Sequence, residues 1–453
     1  MRLATLSVLS KPEIRKIHKA SVDILAKKGV KVLSPRMREL LQAKGLPVDA
    51  AKQIVRFPKE ILEAALATIP SRIEVCNRDG QPAFVLGDGV PKIAAGHNAV
   101  FWRDSVTGET RPSRIADVAR FAQLCDRLPQ IDMLGIPVMP QDGPNPADSL
   151  LYAVKACSEN CRKPIYFSTD SLRINRGCIE QLRKVFGGNF DTQVYGISQL
   201  SPTSPLFWEE SVCEAIIDTL QTHVPLAILP EPNAGVSAPY TLAGLLTMNN
   251  AECLSGLAMI QLLKPGHPVL YANSWTTTDM RTGAALVGSI ETTICRIAAA
   301  ELARFYHVPS HTTAPNSDNH AHDEQNAWEK TFSLMAAVGA GHDLIVNCGM
   351  FATGMTCSDE QLLMDAEIAG MSRRLAAGVE VTQETIAAKL IQKIGPQGES
   401  YLMQEHTMER LRSEEYFVPD LAVRGPLAIW KAAGSKDTAA LAKEMAAKLE
   451  AQD

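Results

Sequence analysis

From about residue 131 the chain repeats one unit, a short apolar run ending in polar or aromatic residues and then a helical stretch. The runs are IDMLGIPVMP (131–140), PIYFST (164–169), QVYGISQL (193–200), PLAILPEP (225–232), PVLYANSW (268–275), VPSHTTAP (308–315) and DLIVNCGM (343–350). Between them, 145–162, 176–187, 208–222, 239–264, 284–306 and 322–340 read as helices, with Leu286, Ile290, Ile294, Ile297 and Leu302 forming one stripe on 284–306. Strands that alternate with helices pair in parallel through right-handed crossovers. With no Gly-x-Gly-x-x-Gly fingerprint in the chain, the expectation is an α/β fold, a closed (β/α)8 barrel of TIM type and not an open dinucleotide-binding sheet. The eighth strand is either 92–100 or Val379–Val381.

The flanks read differently. Residues 12–29, 35–44 and 58–68 carry helical spacing, which predicts an N-terminal helical extension over 1–75. Ala83–Leu86 and Lys92–Ala95 flank the turn-rich GDGVP and predict a hairpin between them. The barrel domain is assigned to 76–400 and a C-terminal helical tail packing on it to 401–453, whose Ala-, Lys- and Glu-rich end at 439–451 reads as a solvated surface helix.

Charge and cysteine content exclude several classes. A net charge of −5, from 45 basic and 50 acidic residues without a block of Lys or Arg, argues against a nucleic-acid partner. No apolar run approaches the length that crosses a bilayer, so no membrane association is expected. The ten cysteines include no Cys-x-x-Cys pair, and the closest spacing is Cys157 and Cys161; free thiols in a reducing cytoplasm are expected.

In an α/β barrel the chemistry sits at the C-terminal ends of the strands. Those ends carry amides, hydroxyls and rings with few charges, among them Ser168, Thr169 and Gln199. Tyr195, Tyr271, Trp275 and Phe351, with Trp102 approaching, are candidates for an aromatic cage, since ring faces attract quaternary ammonium groups; taken singly, each better suits the barrel core. Glu231 is the one acid directly on a strand end, and Cys348 the one thiol. His307, His311, His320 and His322, with Asp318 and Asp323, suggest a metal, but their spacing fits no standard zinc motif; hydrogen-bonding or solvated histidines fit better, and no metal is assigned. Paired acids for glycoside chemistry, Gly-x-Ser-x-Gly and Gly-Lys-Ser/Thr are all missing.

Several stretches together resemble the trimethylamine methyltransferase family: VTGETRPSRIADVARFAQLCDRLPQID (106–132), ISQLSPTSPL (197–206), SDNHAHDEQNAWEKTFSLMAAVGAGHDLIVNCGM (317–350) with DEQLLMDAEIAGMSRRL (359–375), and HTMERLRSEEYFVPDLAVR (406–424). The resemblance implies a barrel enzyme that moves a methyl group from an amine to the Co(I) of a corrinoid carried by a separate, cognate partner protein. Archetypal members carry pyrrolysine, which this chain lacks, so it resembles the non-pyrrolysine branch that acts on glycine betaine and related quaternary amines. It departs from the family pattern at Val423, where an Asp often precedes the tail arginine, and in its histidine-rich 317–328 segment.

A quaternary ammonium already carries a neutral leaving group, so no general acid is needed and no catalytic residue is assigned. His97, Asn98, Asn273, His311 and Asn347 are candidate donors to a substrate carboxylate, and the full substrate-binding set adds Trp102, Tyr195, Glu231, Tyr271, Trp275, Cys348 and Phe351. A homo-oligomer is expected. Two alternatives stand beside this reading: a metal-dependent barrel enzyme using the 307–323 histidines, and a betaine-binding protein without turnover.

Overall fold

The computed structural model describes residues 6–451 apart from 170, 399, 412 and 414. At its centre eight parallel strands close into a barrel. They are β1 (Lys92–Ala95), β2 (Met133–Gly135), β3 (Ile165–Ser168), β4 (Gly196–Leu200), β5 (Leu226–Ile228), β6 (Val269–Asn273), β7 (Ser310–Thr313) and β8 (Leu344–Cys348). A helix follows each: α1 (Ile115–Arg127), α2 (Ser149–Asn160), α3 (Leu172–Val185), α4 (Glu210–Thr219), α5 (Leu242–Leu263), α6 (Ile290–Tyr306), α7 (Glu324–Ala340) and α8 (Asp359–Ala377). The strand that closes the circle is Lys92–Ala95, between β8 and β2; Val379–Val381 is exposed and irregular.

Local sequence punctuates the helices. Side chains of Ser171, Thr241, Ser289, Asp323 and Ser358 cap α3, α5, α6, α7 and α8 by accepting a first-turn backbone N–H. Helix α7 stops at Gly341, whose φ of 75° suits glycine. α5 is apolar on every side and almost wholly buried, because the N-terminal helices Lys11–Lys27 and Lys59–Leu66 cover the face it turns from the barrel.

Three sequence expectations change. The hairpin forms between Ile73–Cys76 and Pro82–Leu86, not between 83–86 and 92–95. A strand bound into a parallel barrel has both edges occupied, so Lys92–Ala95 cannot also pair with 83–86. The hairpin plugs the N-terminal end of the barrel: Ile73, Val75 and Leu86 join the inward side chains Ala94, Met133, Ile197, Leu270 and Leu344 in one apolar cluster. Asp343 ties it there, accepting from Gly87 N at 2.9 Å and Ser310 N at 2.7 Å. Second, α6 begins at Ile290, and Ala284–Leu286 instead pairs with Thr277–Asp279. Small residues such as Ala298 and Ala299 seat this helix on the barrel, which leaves Ile290 and Ile294 exposed. Third, the last helix, Thr438–Glu450, is not merely solvated: Ala442 and Ala446 are buried in the cluster beneath α8 and α1. No helix among the described residues is long and apolar enough to cross a membrane.

Candidate functional site

The mouth of the barrel is shaped first by close backbone approach. Gly96 adopts φ +81°, and a Cβ there would lie 2.7 Å from Pro137 N; one on Gly135 would lie 2.2 Å from Gly96 O. With both positions bare, β1 and β2 stay tight, and Asn98 N reaches Ile136 O at 2.6 Å. Asn98 itself takes φ 60°, and its Nδ2 donates to Ser168 O at 3.1 Å. Across the barrel, β8 carries a bulge: Val346 pairs with Ala94 and Cys348 with Ala95, so Asn347, at φ 146°, has no opposite number. Its amide lies beside the His97 ring, and its Nδ2 donates to Asn316 Oδ1 at 2.6 Å.

Above the apolar plug lies a polar floor. Gln199 Oε1 accepts from Tyr166 OH at 2.6 Å and from His97 Nε2 at 2.8 Å. His311 is fully buried and stacks on Tyr166, with centroids 5.1 Å apart and planes 19° from parallel. Burial holds both imidazoles below their ordinary pKa, His311 far below, with His97 adding to the effect on His311. The floor is therefore neutral at physiological pH. Four of its atoms have no hydrogen-bond partner: both ring nitrogens of His311 and the amide oxygens of Asn98 and Asn347. Buried polar atoms without partners are costly and rare, so they point to a ligand or ordered water.

Over this floor opens a cavity of about 580 Å³, walled by Asn98, Ser168, Thr169, Gln199, Ser201 and Glu231 and rimmed by Arg173. Glu231 is exposed to water where the cavity opens, with protein atoms on its other sides. Encirclement alone, with no cationic side chain to offset it, pushes its carboxyl up to about 7. Arg173 does not neutralise it: its guanidinium is held by Asp148 at 2.5 Å and by Ala147 O at 3.1 Å. The cavity thus presents one carboxylate, Glu231, among neutral amides and hydroxyls, with the buried Tyr166 ring beneath them on Gln199. No cysteine or lysine lines it.

Of the residues expected at the site, His97, Asn98, Glu231, His311 and Asn347 converge on this mouth. Seven do not. Tyr271, Asn273 and Trp275 share one parity on β6, and that parity faces outward. Tyr271 donates to Asn250 Oδ1 at 3.0 Å, Asn273 is used up between His311 O and the Thr312 hydroxyl, and Trp275 packs in the cluster that includes α5. Tyr195 precedes β4 at the plugged end and stacks on Phe186 at 5.2 Å. Trp102 sits edge-on to Phe121 at 6.3 Å, and Phe351 packs on His322 at 4.8 Å. The bulge turns Cys348 outward into the core under α1 and α8, where burial raises its thiol pKa. The expected five-ring cage is therefore not assembled. Tyr166, which sequence reasoning passed over, is the ring inside the barrel; its spacing of two from Ser168 was the available signal.

The four histidines of 307–322 also part company. His307 caps the far end of α6, His311 lies inside the barrel, His320 is exposed and His322 packs on Phe351. Among the described residues no group of His, Cys, Asp and Glu is arranged to hold a metal ion.

Comparison with known proteins agrees with this architecture. The family Trimethylamine methyltransferase (MTTB) matches residues 1–452. Trimethylamine methyltransferase MttB2 of Methanosarcina mazei is 32% identical over 97% of this chain and 89% of its own length. A glycine betaine methyltransferase of Desulfitobacterium hafniense is 28% identical over 94% of this chain and 88% of its own. The solved monomethylamine methyltransferase MtmB of Methanosarcina barkeri is 14% identical but superimposes with a TM-score of 0.53 over 97% of this chain and 92% of that one, a likeness of fold.

Proposed function

The chain belongs to the trimethylamine methyltransferase family, and we propose that it takes a methyl group from a quaternary amine and passes it to the Co(I) centre of a separate corrinoid protein docked over the mouth. The observation that carries this reading is Glu231: a carboxylate with no cationic partner, in a cavity otherwise lined by neutral polar groups, among them an Asn98 amide oxygen that has no partner. Such a site selects a positive charge that brings no hydrogen-bond demands of its own. A quaternary ammonium is that ligand, with its charge spread over N-methyl groups that make weak C–H···O contacts. The glycine betaine methyltransferase relative supports the choice of donor.

The residues present fit an external acceptor. The cavity opens outward at the C-terminal ends of the strands, and no thiol or amine stands in it to take the methyl group, Cys348 being turned away. A reduced corrinoid, when docked, supplies the nucleophile. Glu231 and the Tyr166 ring hold the cation; the amide oxygens of Asn98 and Asn347 and the single lone pair of neutral His311 face it and fix which methyl faces out. Neutral His97 and Tyr166, locked on Gln199, keep positive charge away from the floor. No proton has to move, because the departing amine leaves neutral.

The test is a panel of glycine betaine, proline betaine, carnitine, γ-butyrobetaine and trimethylamine, each mixed with enzyme and free cob(I)alamin and followed by absorbance. Methyl transfer from one quaternary amine is the expected result. Transfer from trimethylamine alone would instead assign Glu231 the role of general acid. Binding of betaines with no transfer to cob(I)alamin or to any corrinoid protein would refute the reading and favour a binding protein.

A further inference from the structure

Two opposite charges lie between α7 and α8 with their side chains fully buried. They are Lys330 and Asp365, and Lys330 Nζ donates to Asp365 Oδ2 at 2.7 Å. A buried ion pair is a poor choice for stability alone, because a well-packed apolar pair of the same volume often does as well or better. What the carboxylate touches gives it another use. Its Oδ2 also accepts from Gly349 N at 2.7 Å, and its Oδ1 accepts from Gln361 Nε2 at 2.9 Å. Ser358, the cap of α8, donates its backbone N–H to Gly349 O at 3.2 Å. Helix α8 thus grips Gly349 by its N–H and its C=O together.

That grip sits two residues from Asn347. The bulge interrupts the ladder there, so the neighbouring strand does not set the direction of this side chain. The flanking bonds do. Gly96 N holds Cys348 O at 2.8 Å on the barrel side, and Asp365 holds the next N–H on the helix side. Between them Asn347 keeps its φ of 146°, its amide beside the His97 ring and its Oδ1 without a partner. Helix α7 braces the same amide from its other end. One turn beyond Lys330, Ser333 Oγ accepts from Asn316 N at 3.0 Å, and Asn316 Oδ1 accepts from Asn347 Nδ2. An ionised acceptor suits the task, since its hydrogen bonds are shorter and stronger than those of a neutral one. Lys330 supplies the countercharge that lets it stay ionised away from water.

We propose that Asp365, with Lys330 as its countercharge, is a positioning residue that fixes the β8 bulge and so aims the Asn347 amide into the mouth. The inference rests on the reading of that mouth as a quaternary-amine site, which Asn347 helps to orient. Paired variants of the full-length protein separate position from stability. Lys330→Met/Asp365→Leu and Lys330→Leu/Asp365→Met fill the space and remove the acceptor. Lys330→Met/Asp365→Asn keeps an acceptor for Gly349 N and turns an NH2 toward a flipped Gln361. The readouts are the histidine ring resonances of the unliganded protein, with His97 assigned by its loss in His97→Gln, and the dissociation constant of glycine betaine by calorimetry. The apolar pairs should fold with the His97 resonance displaced and those of the distant His18 and His267 unmoved. Their dissociation constant should rise about fivefold, while the Asn pair restores the wild-type resonance and holds affinity within about twofold. An unmoved His97 resonance in the apolar pairs, equal movement of His18 and His267, a displaced His97 resonance in the Asn pair, an unchanged affinity, or a failure of both apolar pairs to fold would each overturn the proposal. If wild type does not bind glycine betaine, it is the choice of substrate that fails, and the resonances alone still decide the role of Asp365.

Discussion

Replacing Glu231 with Gln keeps the shape of the cavity and removes its one net charge. Two opposite unit charges about 4 Å apart attract by ~4 kcal/mol at an effective dielectric of ~20. Water enters this cavity, so about half of that, ~2 kcal/mol, is a fair figure for the bound substrate. At ~1.4 kcal/mol per factor of ten, the dissociation constant should rise about thirtyfold. The transition state suffers less, because roughly half of the positive charge has left the nitrogen as its carbon–nitrogen bond breaks. A loss of ~1 kcal/mol there lowers kcat/KM about fivefold. The two losses together predict that kcat itself rises by about fivefold. Steady-state methylation of cob(I)alamin at a pH of about 8, above the value near 7 to which burial pushes the carboxyl, measures all three constants. An unchanged KM, or a kcat that falls in step with kcat/KM, would show that Glu231 acts in the transition state and refute the charge argument.

The same carboxyl sets a pH dependence. Substrate affinity of wild type should weaken as pH falls through about 7, while Glu231→Gln stays flat; because the folded pKa lies above the ordinary 4.5, the group's contribution to stability declines as pH rises through that interval, and the Gln variant should melt higher than wild type above it. Tyr166→Phe keeps the ring and should hold KM within about twofold, whereas Tyr166→Leu, losing ~1 kcal/mol of cation–π attraction, should raise KM about fivefold in the same assay. Trp275→Ala should cost about 3–5 kcal/mol in chemical denaturation with KM unmoved, since the ring is core; a raised KM with normal stability would put it at the substrate. Lys330 and Asp365 form a fully buried ion pair at 2.7 Å, and Asp365 also receives Gly349 N at 2.7 Å. Lys330→Met should cost ~3–5 kcal/mol, and adding Asp365→Leu should recover much of it; a loss below ~1 kcal/mol would show that the pair is not isolated from water.

How far the sequence could be read depended on which physical rule each residue obeyed. The alternation of apolar runs with helical stretches is a property of whole segments, so the barrel was legible, and Lys92–Ala95 was one of two choices for its closing strand. Side-chain direction is a finer matter. Standing at a strand end does not say which face a residue occupies, and a shift of one position reverses the answer. Tyr271, Asn273 and Trp275 were misplaced for that reason: they alternate correctly with one another, but the inner parity on β6 belongs to Leu270 and Ala272. Asn347 and Cys348 exchanged faces because of a bulge that no pattern in 343–350 announces. Glu231, His97, Asn98 and His311 could be singled out because a polar or charged residue ending a buried run has few other uses, and the structure brings them to one mouth. The Lys330–Asp365 pair joins α7 to α8 across 35 positions, a separation that sequence spacing alone does not resolve.

At the mouth several positions break local rules together. Asn98 and Asn347 hold positive φ without being glycine, His311 keeps two nitrogens unpaired in a dry core, and Glu231 keeps a carboxylate with no partner. The strained amides and the unpaired imidazole are unfavourable alone, and they persist because the barrel around them is over-determined by apolar packing and the plug below. A cation would relieve several of these at once, by countering the carboxylate and giving the lone pairs something positive to face. Aromatic cages bind a cation through ring faces that cost little when empty. This barrel holds one ring and otherwise relies on dipoles that are strained while empty. Binding should therefore draw part of its free energy from relieving the free protein, and a substrate that fills the mouth without carrying positive charge should gain none of it.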